Sequence, residues 1–105
     1  MDISFATPKL EAAANSSSQL DALFGSDASC VKQRLGELVA CATLAVVNSI
    51  PTLRLSRSKT RNHFSVYVSA ERRIEFEAIL REQRQKQIEP TDYDSVMAIR
   101  ILSLG

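Results

Sequence analysis

The spacing of apolar residues changes at Pro51, and this change limits the possible folds more than any other feature of the chain. Between residues 26 and 46, apolar side chains recur every three or four positions, the spacing that forms one face of a helix. Beyond Pro51, apolar and polar residues alternate, as they do in strands that bury one face. The sequence therefore predicts helices packed against a sheet, an α+β fold.

The helical part is predicted to contain one short strand and two helices. The strand covers 2–6, the first helix covers 8–15 and resumes over 18–24, and the second helix covers 26–46. Thr7 is suited to cap the first helix, and Pro8 suits its first turn, where no backbone donor is needed. Gly25 favours a helix end, and Pro51 ends the helical part.

The alternating part is predicted to contain four strands. They cover 52–55, 64–69, 73–78 and 95–104, with a polar excursion over 81–92. Residues Ser69–Arg72 are predicted to join the middle pair as a hairpin. The chain 1–105 is thus predicted to be a single domain with the order β-α-α-β-β-β-β, in which two helices pack on one face of a small, largely antiparallel sheet. The predicted core comprises Leu10, Leu20, Leu35, Leu38, Val39, Val66, Val68, Ile74, Phe76, Ile99 and Ile101.

Basic residues concentrate in one stretch of the chain. From Arg54 to Arg73 there are six Lys/Arg, one His and a single acid, whereas the 53 residues before them hold three Lys/Arg and five acids. A local cationic site of this kind suits a polyanion, most simply the phosphates of RNA or DNA. The formal net charge of only +1 argues against a protein that coats nucleic acid without a defined site.

Several classes of protein are disfavoured by the sequence. No apolar run approaches the roughly 18 residues of a membrane-spanning helix, and the acidic start of the chain does not resemble a signal peptide. Cys30 and Cys41 are eleven residues apart on one predicted helix, hence roughly 16 Å apart, too far for a disulfide. We therefore expect a cytoplasmic protein with reduced thiols. One histidine and two separated cysteines form no recognisable metal set, so no metal or cofactor is expected.

Four stretches of the chain, in this order, carry a family resemblance. They are ISFATPKLEAAANS, VKQRLGELVACATLAVV, FSVYVSAERRIEFEA and DYDSVMAIRILSLG. Together they resemble the opening strand and helix, the second helix, the signature hairpin and the last strand of the RelE/ParE superfamily of bacterial toxins. Within that superfamily, they look most like the HigB-like plasmid maintenance killer proteins.

The resemblance implies a toxin of a type II toxin–antitoxin system. Such a toxin is a small, metal-independent endoribonuclease that cleaves messenger RNA, often in the ribosomal A site, and so inhibits translation. Its expected partners are mRNA and a cognate antitoxin protein, which neutralises the toxin and usually represses their shared operon with it. No cofactor and no membrane partner are implied.

RNA cleavage through a 2′-hydroxyl needs a base, a cation that stabilises the phosphorane and an acid. Arg73 matches the arginine of the family's Tyr-Arg-Leu motif, and strand alternation directs it away from the core. Lys59 matches the lysine of the family's His-x-Leu-Lys-Gly loop. His63 is the only imidazole, although Ser56 occupies the family's usual histidine position. Arg73, Lys59 and His63 are therefore the predicted catalytic residues.

The remaining basic and aromatic residues of this stretch are predicted to bind RNA. They are Arg54, Arg57, Arg61 and Tyr67. Arg57, Lys59, Arg61 and Arg73 are expected to border one concave patch on the sheet face away from the helices. The alternative for each basic residue is a solvated surface charge, and for Arg73 an ion pair with Glu75 or Glu77. The alternative for His63 is a solvated or edge histidine, and for Tyr67 a half-buried aromatic without a binding role.

The end of the chain departs from the family pattern. Related chains carry an aromatic or histidine acid/base in a short tail after the last strand, often as Asp-Tyr-His. This chain stops at Ser103-Leu104-Gly105. Two interpretations stay open: either the sequence is truncated, or the catalytic site is incomplete and cleavage is attenuated.

Three other functions remain open at this stage. A ParE-like protein of the same fold would inhibit DNA gyrase without cutting RNA. A non-catalytic interaction protein would use the fold for binding alone. A ribbon–helix–helix repressor would read DNA with HFSVYVS as a strand and would require AERRIEFEAILREQRQK to form a helix.

Overall fold

The computed structural model describes residues 1–58, 62–79 and 88–104. Its helices are α1 (Pro8–Ala14), α2 (Ser17–Phe24), α3 (Ala28–Ala40) and α4 (Leu44–Ser49). Its strands are β1 (Asp2–Phe5), β2 (Ser56–Arg57), β3 (His63–Ser69), β4 (Arg72–Ile79) and β5 (Ala98–Ser103). Short 3-10 turns cover Gly25–Asp27, Pro51–Leu53 and Pro90–Ser95. Within the described residues, the predicted α+β class is confirmed.

The strands form one mostly antiparallel sheet with the order β1-β5-β4-β3-β2. Only β1 is parallel to its neighbour, β5. The predicted hairpin is present, since β3 and β4 pair antiparallel with Val66 opposite Ile74 and Phe64 opposite Phe76. The central position of β4 follows from its pairing with both β3 and β5.

Strand alternation places the core on one side of this sheet. The even-numbered residues from Phe64 to Val68 on β3 and from Ile74 to Ala78 on β4 are buried, and the odd-numbered residues between them are exposed or half-buried. The rings of Phe64 and Phe76 stack with centroids 5.9 Å apart. Helix residues complete the cluster, among them Leu20, Val31, Leu38, Leu44 and Val47. Each fully buried side chain of this size contributes about 1.5–3 kcal/mol through removal of apolar surface from water.

The predicted helix over 26–46 is wrong, because the chain breaks it between α3 and α4. Cys41 leaves α3 with extended backbone angles, and Thr43 starts α4 by accepting a hydrogen bond from the Val46 amide on its side-chain oxygen. The Leu44 amide donates to the Val96 carbonyl at 3.0 Å, which ties the start of α4 to the segment before β5. A threonine cap and a tertiary backbone bond thus replace helical hydrogen bonds.

The predicted strand over 52–55 is also wrong. Pro51–Leu53 forms a 3-10 turn, and Arg54 follows it with left-handed backbone angles, φ 45 and ψ 55. The strand that pairs with β3 is Ser56–Arg57, two residues long. Leu53 is nevertheless fully buried, so its apolar character reflects core packing of a turn.

The ribbon–helix–helix alternative is wrong as well. It requires a helix that begins near residue 70, but Arg72–Ile79 is an eight-residue strand at the centre of the sheet. Most of the predicted polar excursion lies outside the described residues, and its end forms the turn Pro90–Ser95, in which Tyr93 is buried. No helix in the described parts of the chain is long and apolar enough to cross a membrane.

Both cysteines are free thiols. Cys41 is buried at the end of α3, and this burial raises the pKa of its thiol. The nearby Glu37 carboxylate acts in the same direction, while the N-terminal ammonium lowers the pKa. The sulfur of Cys41 is therefore held in its neutral form within the core.

One predicted core residue is exposed. Val39 has 58% of its surface accessible, whereas its neighbour Leu38 has none. Leu10 and Leu35 are partly buried against the core, and the other predicted core residues are buried. A helix turns about 100° per residue, so the face that buries Val31 and Leu38 leaves Val39 at its margin.

We expect Leu38→Ala to lower the free energy of unfolding by about 2–5 kcal/mol, since it removes a fully buried side chain. Val39→Ala, a change next to it on the same helix, should cost less than about 1 kcal/mol. Urea unfolding followed by circular dichroism measures both. Equal costs for the two variants would contradict the orientation of α3.

Candidate functional site

The sheet face opposite the helices carries polar side chains arranged in rows across the strands. We call it the polar face. Its rows are Tyr67–Arg73, Ser65–Glu75–Ser103 and His63–Glu77–Arg100, as the strand register gives them. On β3 and β4 these are odd-numbered residues that alternate with buried core residues, and Arg100 and Ser103 belong to β5. Alternation therefore gathers an imidazole, two arginines and two carboxylates on one surface.

Arg73 is held on this face by neutral acceptors. Its Nε donates to Ser65 Oγ at 2.8 Å, and its Nη2 donates to the Arg54 carbonyl at 2.6 Å and to the Ser65 carbonyl at 3.3 Å. Among the described residues, no carboxylate forms an ion pair with it. The protein thus orients the guanidinium through neutral groups, and no described carboxylate neutralises its charge.

Arg54 and Tyr67 stand beside Arg73. The guanidinium carbon of Arg54 lies 4.5 Å from the centroid of the Tyr67 ring, a cation–π contact. The left-handed backbone of Arg54 is unfavourable for a residue with a side chain and costs about 1–3 kcal/mol. The Arg73 hydrogen bond to its carbonyl and the contact with Tyr67 oppose that cost. We call Arg54, Tyr67 and Arg73 the cationic corner.

A cleft lies next to the cationic corner on the same face. Its volume is about 240 Å³. The residues that line it are Ser56, Ser58, His63, Phe64, Ser65, Glu75, Phe76 and Leu102. Ser65 belongs to both places, because its hydroxyl accepts the hydrogen bond from Arg73. The cleft therefore presents hydroxyls, one imidazole and one carboxylate within reach of an oriented guanidinium.

His63 lines the cleft and faces a carboxylate on β4. Its Nε2 lies 3.6 Å from Glu77 Oε2, too long for a hydrogen bond but suited to charge attraction when the imidazole is protonated. The other oxygen of Glu77 binds Arg100 Nη2. Glu77 is thus shared between His63 and Arg100 and is directed away from Arg73.

Four of the predicted site residues share the polar face. They are His63, Arg54, Tyr67 and Arg73. Arg57 does not, and its predicted position in the same patch is wrong. The register pairs Ser56 with Ser65 and Arg57 with Phe64, so the side chain of Arg57 leaves the sheet on the core side, where it bonds Glu89 at 3.4 Å. The predicted residues Lys59 and Arg61 lie outside the described residues.

Arg72, the neighbour of Arg73, has a structural role. Its Nε bonds Asp27 Oδ2 at 3.0 Å, and its guanidinium lies 5.1 Å from the ring centroid of Phe24. Ser69 donates to the same carboxylate oxygen at 3.3 Å. These contacts fasten the β3–β4 turn to the helical layer. The two consecutive arginines thus serve opposite faces of the sheet.

The sequence did not single out several residues of the cleft. Ser58 and Leu102 come from separate segments that only the sheet brings together, and no local pattern marks them. Glu75 could have been found, since it alternates with Ile74 and Phe76 in the same way as Arg73. From the sequence, Glu75 is considered only as an ion-pair partner of Arg73.

The described residues contain no group of three or more His, Cys, Asp or Glu side chains placed to hold a metal ion. Comparisons of the chain with protein-family models, with curated proteins and with solved structures find no match.

Proposed function

We propose that this protein is a RelE/ParE-like toxin that binds messenger RNA on its polar face, cleaves it in the cytoplasm, and is neutralised by an antitoxin protein. The position of Arg73 is the observation that carries the proposal. Its guanidinium is oriented by Ser65 and the Arg54 carbonyl, and no described carboxylate neutralises it. A preoriented cation of this kind is what a phosphate group requires.

The cationic corner supplies the two interactions that single-stranded RNA needs. Arg54 and Arg73 can each donate hydrogen bonds to phosphate oxygens. Tyr67 is half-buried and carries a cation over its ring, and an aromatic ring in this position can stack with a nucleobase. The combination favours unpaired RNA over a duplex, whose bases are stacked on one another.

The cleft supplies groups for the chemistry. Cleavage by this class of enzyme begins when a 2′-hydroxyl attacks the adjacent phosphorus. Arg73 stabilises the negative charge that develops on the phosphorane oxygens. His63 transfers a proton in the reaction. It lies two residues before Ser65 on the same strand and face, and the Ser65 hydroxyl in turn holds Arg73. Two residues along a strand span roughly 7 Å, so both groups can reach a single phosphodiester.

The salt dependence of binding tests the proposal. With Arg54 and Arg73 on phosphates, the logarithm of the affinity for single-stranded RNA should fall against the logarithm of salt concentration with a slope of about −1.4 or steeper. Arg73→Ala should make the slope shallower by about 0.7, whereas Arg72→Ala should leave it unchanged. Fluorescence anisotropy with a labelled oligoribonucleotide measures each slope. A slope near zero for the unmodified protein would contradict RNA binding by this face.

Two assays separate the proposed toxin from the other functions of the same fold. Induced expression in a bacterial host should stop growth and shorten messenger RNA, with translation falling before DNA replication. A gyrase inhibitor would instead block supercoiling by purified gyrase and leave RNA intact. An interaction protein without catalysis would do neither.

A further inference from the structure

We propose that Glu75 is a catalytic residue and forms, with His63, the acid/base pair that cleaves RNA on the polar face. The inference rests on the proposed function and adds a residue to it. The cleft contains two proton-transfer groups, one on β3 and one on β4.

The strand register sets the spacing of the two groups. Glu75 lies directly opposite Ser65, and His63 lies directly opposite Glu77, so His63 and Glu75 are diagonal neighbours on one face. Diagonal neighbours in an antiparallel pair lie roughly 7–8 Å apart, with their Cβ atoms somewhat closer together. Both side chains line the same cleft of about 240 Å³. That separation leaves room for one phosphate, with a hydrogen bond of about 2.6–3.2 Å to a group on each side.

The charged surroundings distinguish the two carboxylates of β4. Glu77 is occupied by Arg100 on one oxygen and faces His63 on the other. Glu75 has no ion pair among the described residues, and its row neighbours are Ser65 and Ser103. Arg73 precedes it by two residues on the same face. Glu75 is thus the carboxylate placed beside the bound phosphate, while Glu77 balances the charge of a protonated His63.

The reaction needs no co-reactant. The Glu75 carboxylate removes the proton of the 2′-hydroxyl, and the 2′ oxygen forms a bond to phosphorus. The bond between phosphorus and the 5′ oxygen breaks, and that oxygen takes a proton from the His63 imidazolium. Arg73 binds the non-bridging oxygens throughout. The products are a 2′,3′-cyclic phosphate and a 5′-hydroxyl end, and the proton returns from Glu75 to His63 through solvent.

The test uses the full chain and a single-stranded oligoribonucleotide. Glu75→Gln should lower the cleavage rate by about 10²–10⁴-fold, the contribution typical of one acid/base group, with RNA affinity unchanged or higher. Glu71→Gln is the matched control, since it makes the same change of charge at an exposed position on the β3–β4 turn. It should cleave at the rate of the unmodified protein.

The pH profile identifies the roles. Cleavage by the unmodified protein should rise and then fall with pH, because the base must be deprotonated and the acid protonated. Glu75→Gln should remove the acidic limb of the residual activity, and His63→Gln should remove the alkaline limb. The charged groups near the pair on described residues are Arg73 and Glu77 on β4 and Arg100 on β5.

Each result decides between distinct conclusions. A cleavage rate for Glu75→Gln within about threefold of the unmodified protein would overturn the assignment of Glu75 and His63 as the acid/base pair, because a general base typically contributes far more to the rate. The proposed toxin function would be unaffected. RNA binding without any cleavage by the unmodified protein would overturn the pair and leave the binding face. Absence of both binding and cleavage would overturn the proposed function itself.

Discussion

Arg73→Ala is expected to lower RNA cleavage by about 10²–10³-fold, the loss typical of removing one preoriented donor to transition-state charge. The guanidinium is held in place by Ser65 and by the Arg54 carbonyl before any ligand binds. The substitution removes the group proposed to bind phosphate and also one restraint on the left-handed turn at Arg54. Single-turnover cleavage of a labelled oligoribonucleotide measures the effect.

The adjacent Arg72→Ala is the matched control, because it removes the same chemical group from the opposite face. It should leave cleavage unchanged and lower the free energy of unfolding by about 1 kcal/mol, the sum expected for a partly exposed ion pair with Asp27 and a cation–π contact with Phe24. If Arg72→Ala lost activity and Arg73→Ala kept it, the assignment of the two faces would be wrong.

Phe76→Ala is expected to lower the free energy of unfolding by about 3–5 kcal/mol. Phe76 is fully buried at the centre of β4, stacks on Phe64, and lies on a strand that pairs on both sides. A small domain has only about 5–15 kcal/mol of total stability, so the variant should be largely unfolded under mild heating. Urea unfolding monitored by circular dichroism gives the value.

Leu23→Ala provides the control for Phe76→Ala. Leu23 is 59% exposed on α2, so its removal should cost less than about 1 kcal/mol. A loss below about 1 kcal/mol for Phe76→Ala would show that the two rings do not form the centre of the core.

The hairpin could be predicted from the sequence because its signal is local. Alternation over residues 64–78 determines both strands and the face of each side chain, so Val66, Ile74 and Phe76 were correctly placed in the core. The break between α3 and α4 could not be predicted in this way. It depends on Thr43 as a cap and on a backbone bond between Leu44 and Val96, which are 52 residues apart in the chain.

In the candidate site, too, local alternation predicts the orientation of some residues and not of others. The orientation of Arg73 follows from alternation with Ile74 and was predicted. The orientation of Arg57 depends on the register between a two-residue strand and β3, and no pattern within so short a segment reveals it. The cleft depends on sheet pairing that brings Ser58, Glu75 and Leu102 together from three segments.

A nuclear magnetic resonance titration of the protein with an oligoribonucleotide shows whether the polar face binds RNA. The oligoribonucleotide carries a 2′-O-methyl group on every ribose, so that no 2′-hydroxyl can attack. We expect saturable shifts of the Arg54 and Arg73 side-chain Nε–H signals and of the backbone amides around Ser65 and Tyr67, while the amides of α1–α4 stay unchanged. Saturable shifts confined to the helices, or no shifts at millimolar RNA, would contradict the claim that the polar face binds RNA.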